Sequence, residues 1–97
     1  MGVMPGTATP LGKRVTVNTS ADRLDTAPGA GAQRLSLLIR NRGSVVAYVG
    51  ASDVADSTGF QLDPGDVMSV DLAPLGGLYA VTASGSTTLH VLQVAWS

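Results

Sequence analysis

The stretch Arg34-Leu35-Ser36-Leu37-Leu38-Ile39-Arg40-Asn41 decides the fold class. Leu35, Leu37 and Ile39 alternate with Ser36, Leu38 and Arg40, the two-residue period of a strand that buries one face. Asn41-Arg42-Gly43-Ser44 then supplies turn residues, and residues 45–50 (VVAYVG) read as the returning arm of a hairpin.

The same pattern extends outward in both directions. Upstream, residues 13–19 (KRVTVNT) place Val15 and Val17 on one face and Arg14, Thr16 and Asn18 on the other. Between the two strands, residues 20–33 are polar and then small. They predict a long loop that crosses between sheets or meets another subunit. Downstream, residues 51–59 carry turn chemistry, and Phe60-Gln61-Leu62 is a short strand closed by Asp63-Pro64-Gly65-Asp66. Residues 67–72 (VMSVDL) form a strand, broken at residues 73–77. Residues 78–83 and 87–96 form a last hairpin across Ser84-Gly85-Ser86. The fold class is therefore all-β: a small antiparallel β-sandwich or jelly roll of about seven strands, with turns about every 8–12 residues. Residues 12–97 make one domain. Residues 1–11, with Pro5, Gly6 and Pro10 and no periodicity, form a flexible or extended N-terminal arm.

Composition supports this reading. All seven acids are Asp, and five of the six bases are Arg, with Lys13 the only lysine. A chain without Glu and almost without Lys lacks the usual fillers of exposed helix faces, whereas Gly, Asp, Ser, Thr and Val suit strands and tight turns. The net charge of −1 lacks the basic footprint of a nucleic-acid binder. No apolar run approaches a membrane span, and the start has no basic, then apolar, leader, so synthesis in a cytoplasm is expected. With no cysteine in the chain, packing and subunit contacts must supply stability. The last strand is apolar on both faces, with Leu89 and Val91 on one side and Leu92, Val94 and Trp96 on the other. Either the long loop or another subunit must cover the second face, and a homo-oligomer is expected.

Catalytic chemistry finds little support. His90 is the only histidine, lies inside the last strand on its less apolar face, and is not accompanied by a nucleophile-elbow sequence, so no enzyme is expected. Asp53, Asp56, Asp63 and Asp66 are close enough in sequence to suggest a Ca²⁺ site. Their spacing is not that of an EF-hand, and local bonds to their own turns explain them better. No metal and no cofactor is expected. Tyr48, Phe60, Tyr79 and Trp96 all lie in apolar contexts, which predicts core packing rather than a glycan platform.

Three segments carry a resemblance: Tyr48-Val49-Gly50-Ala51-Ser52-Asp53-Val54, Thr58-Gly59-Phe60-Gln61-Leu62-Asp63-Pro64-Gly65-Asp66, and Leu78-Tyr79-Ala80-Val81-Thr82-Ala83-Ser84-Gly85. With Asn41-Arg42-Gly43-Ser44 opening the match, residues 34–95 resemble small structural proteins of tailed bacteriophages, of the capsid decoration (cement) kind. The resemblance implies a non-enzymatic virion protein, made in the host bacterial cytoplasm and placed on the capsid surface. It implies the major capsid protein of the same phage as partner and a trimer as the oligomer, with no nucleic acid and no membrane. The alternative is a fibre- or tail-associated sandwich module that binds a host-surface glycan.

Candidate contacts to capsid or sister subunits are Met4, Pro5, Thr7, Pro10 and Leu11 of the arm, Arg14 and Arg40 of the strands and Arg42 of the turn that follows. Deleting residues 1–11 is expected to weaken capsid attachment while the domain still folds. Unchanged occupancy of capsids by the truncated protein would contradict an adhesive arm.

Overall fold

The computed structural model describes residues 8–26, 34–72 and 77–96. It is an all-β sandwich of two antiparallel four-stranded sheets. The long sheet has the order β1-β8-β3-β6, with β1 at Ala8–Val17, β3 at Arg34–Asn41, β6 at Val67–Leu72 and β8 at Thr87–Trp96. The short sheet has the order β2-β7-β4-β5, with β2 at Asp22–Arg23, β4 at Ala47–Gly50, β5 at Phe60–Leu62 and β7 at Tyr79–Thr82.

The alternation in β3 is as expected, with Leu35, Leu37 and Ile39 buried. They meet Val17, Leu89 and Val91 of the long sheet and Ala47, Val49, Leu62 and Ala80 of the short one in a single aliphatic core. Each such leucine contributes on the order of 2 kcal/mol by leaving water. None of the four aromatics belongs to that core, contrary to expectation. Phe60 is 63% exposed and Trp96 36%, while Tyr48 and Tyr79 are half-buried. Branched aliphatic side chains already fill the space between the sheets.

Two expected hairpins are absent. β3 pairs with β8 and β6, and β4 with β5 and β7, so residues 42–46 carry the chain from one sheet to the other. Likewise β7 and β8 lie in different sheets, joined through a turn in which Gly85 takes φ 73° and its carbonyl accepts from Thr82 Oγ1 at 2.7 Å. Among the described residues, only β4 and β5 are both consecutive and paired.

The β3–β4 crossing depends on Asn41, whose side chain is wholly buried. Its Nδ2 donates to the carbonyls of Val45 at 2.8 Å and Leu62 at 3.0 Å. Its Oδ1 accepts from Thr87 Oγ1 at 2.7 Å and from the Gly43 amide at 3.1 Å. Its backbone N–H donates to Asp66 O at 3.0 Å and its carbonyl accepts from Gly65 N at 2.8 Å. Gly43 is required beside it, because a Cβ there would lie 2.9 Å from the Thr87 Cα.

A second polar anchor holds the loop between β1 and β3. Buried Gln93 accepts from Thr26 N at 2.7 Å and donates to Thr26 O at 2.9 Å, as a neighbouring strand would. Asp25 accepts from Arg23 Nε at 3.1 Å, Arg23 Nη2 at 3.0 Å and Leu78 N at 2.9 Å. Burial pushes the Asp25 carboxyl up, but the bonds from Arg23 and Leu78 outweigh it and hold the group below the usual carboxylate range.

β1 begins at Ala8, not at residue 13, and residues 8–11 pair with β8 from Trp96 back to Gln93. Pro10 is tolerated because β1 is an edge strand, where a missing N–H costs the ladder little. A truncation after residue 7 therefore leaves this ladder whole, whereas one after residue 11 removes four of its residues.

Asn41→Ala strands the Val45 and Leu62 carbonyls and the Thr87 hydroxyl inside the protein, and is expected to cost about 3 kcal/mol. Asp71→Ala, at an exposed position, should cost less than about 0.5 kcal/mol. Urea unfolding midpoints of the two variants test this, and similar midpoints would count against a structural role for Asn41.

Candidate interaction surface

The outward positions of the long sheet form cross-strand rows. Arg14 lies opposite His90, His90 opposite Arg40, and Arg40 opposite Val67. The next row is Gly12, Leu92, Leu38 and Ser69, and the one beyond is Pro10, Val94, Ser36 and Asp71. Strand alternation explains this: the residues on either side of buried Leu37, Ile39, Leu89 and Val91 must face out. The face has an apolar centre, with Leu38 at 45%, Val67 at 54% and Leu92 at 43% exposure. Together with Gly12, Arg14, Arg40 and His90, these side chains line an open depression of about 640 Å³. Space is open above Gly12, where a Cβ would meet nothing within 4 Å.

The rim is positive. Arg14 and Arg40 flank half-buried His90, and Arg42 follows just beyond β3. Loss of water contact pushes His90 below the ordinary histidine range, and repulsion from Arg14, Arg42 and Arg40 adds to it. The far end of the face is tied internally. Arg34 lies 5.0 Å from the centre of the Trp96 ring, Trp96 Nε1 donates to Ser36 Oγ at 3.1 Å, and Ser36 Oγ donates to Asp71 at 2.8 Å.

The sequence-derived contact residues separate on this geometry. Pro10, Arg14 and Arg40 share the outward face of the long sheet, with Arg42 at its margin. Leu11 faces the other way on β1 and is 43% exposed. Met4, Pro5 and Thr7 lie outside the described residues. Leu38, Val67 and His90 were missed as contact candidates, whereas Leu92 belonged to the second apolar face of the last strand from which an oligomer was expected. The signal for Leu38 was the second apolar face of β3.

The loop aspartates do not converge. Asp66 Oδ2 accepts from Asp63 N at 3.1 Å and Asp63 Oδ1 from Gln61 Nε2 at 2.7 Å, while Asp53 and Asp56 stand exposed in the β4–β5 loop. Among the described residues no three His, Cys, Asp or Glu side chains come together to hold a metal ion. Nor, among them, does His90 hydrogen-bond a serine or an aspartate.

No protein-family profile matches the chain, and no curated protein does. Among solved structures it is similar to one described as "Bacillus endospore appendages form a novel family of disulfide-linked pili". The identity is 11% and the TM-score 0.62, over 99% of this chain and 91% of that one. That likeness shows a shared sandwich fold. Disulfide linkage has no counterpart here, because this chain contains no cysteine.

The His90 environment sets a pH dependence. A base whose folded value is depressed binds a proton more readily when unfolded, so stability is full above the ordinary histidine value of 6.5 and falls as pH drops through the lower folded value. His90→Gln should flatten stability against pH between about 7.5 and about 5, relative to the unmodified protein. Urea midpoints measured across that range test it, and parallel curves for the two proteins would refute it.

Proposed function

We propose that this protein is a non-enzymatic structural component of a tailed-phage particle, a decoration subunit on the outside of the head. The observation that carries the reading is the outward face of the long sheet, where Leu38, Val67 and Leu92 stand in solvent inside an arginine rim. A face of that composition suits contact with protein, and a rigid sandwich is a suitable body on which to mount it. The resemblance of residues 34–95 to phage structural proteins supports the virion as the place of work. Binding only the assembled shell stabilises that shell by mass action, so no catalytic group is needed. The protein works as an oligomer, a trimer in this reading, with the major capsid protein as its partner.

A glycan-binding role on a fibre or tail is the second reading, favoured by the exposure of Phe60. It ranks lower because the Trp96 ring is already covered by Arg34.

Purified particles made by the bacterium that carries this gene provide the test. Mass spectrometry of filled heads separated from tails is expected to find the protein in fixed ratio to the major capsid protein. Its absence from heads would overturn the proposal, and its presence on tails alone would move it to the second reading.

A further inference from the structure

Arg14, Arg40 and Arg42 have no carboxylate partner among the described residues, where the only ion pair joins Arg23 to Asp25. Arg14 and Arg40 stand on either side of His90, and the repulsion between their guanidinium groups across β8 is relieved when an anion meets them. The complement stands elsewhere on the same chain. Four of the seven acids fall within residues 53–66, and among the described residues Asp53 and Asp56 have no cationic partner. Between them and the Asp63–Asp66 turn lies Phe60, on the edge strand β5 and 63% exposed.

We propose that the depression on the long sheet receives the Phe60 loop of a second copy of this chain. Phe60 covers Leu38, Val67 and Leu92, and the loop aspartates meet the arginine rim. The depression belongs to the outward face of the long sheet and Phe60 to the edge of the short one, so the contact is between copies and joins two different surfaces. Such a head-to-tail contact closes into a ring or continues as a fibre, according to the rotation it imposes. A cyclic trimer is one closed form. The inference rests on the reading that this face is covered by protein and does not require a phage head. Exposed ion pairs are screened by salt, so the assembly weakens as ionic strength rises.

Light scattering coupled to size exclusion, on the purified chain at low salt, tests this with Phe60→Ser and Arg40→Glu. Both positions are exposed, and circular dichroism melting confirms that each variant folds. Asp53→Arg replaces Phe60→Ser if the latter melts early. The unmodified chain is expected to run heavier than one subunit and to fall towards the monomer with added salt, while each variant alone runs as a monomer. An equimolar mixture of Arg40→Glu and Phe60→Ser should recover a two-chain species and stop there, because one intact loop meets one intact depression. A monomeric unmodified chain, a variant that keeps the full mass, or a mixture that stays monomeric would each overturn the contact. Detection of the protein on heads would be untouched by any of these results.

Discussion

A single buried amide holds the two layers in register. Asn41 ends β3, yet its side chain bonds the corner that leaves the long sheet, the end of β5 in the short sheet and the first residue of β8. All its donors and acceptors are used inside the protein, where an unpaired one would cost about 1–3 kcal/mol. The aliphatic core is non-directional and would tolerate several relative placements of the sheets. Asn41 selects one, and Gln93 does the same for the loop at Thr26.

That selection leads to the surface. Once the sheets are fixed, alternation sends Leu37, Ile39, Leu89 and Val91 inward and their neighbours outward, which gathers Leu38, Leu92, Arg40 and His90 on one face. Register then places Arg14 and Val67 beside them. The positive rim and the apolar floor are thus products of strand pairing, and no loop is needed to build them.

The alternation of residues 34–41 and 87–96 and the Asp-Pro-Gly-Asp turn were legible in sequence because each is a local property. The hairpins were not. Asn41-Arg42-Gly43-Ser44 has the same turn chemistry whether the next strand pairs with the last or crosses to the other layer. Only the inward direction of the Asn41 amide separates the two. β2 spans two residues, too few for any period, and Pro10 read as a breaker because an edge position does not show in sequence. Of the candidate surface, Arg14 and Arg40 could be singled out as charges. Their meeting across His90 depends on two ladders that join residues far apart in the chain.

The position of β8 has a consequence for how the protein is made. This strand lies between β1 and β3 in the long sheet, yet of the eight strands among the described residues it is the last to be synthesised. Until β8 has emerged from the ribosome, β1 and β3 present facing edges with a gap between them. The core they share lacks Leu89 and Val91 until the final strand emerges. Closure of the long sheet therefore waits for residues 87–96 to leave the ribosome, and in that interval another molecule's strand can compete for the gap.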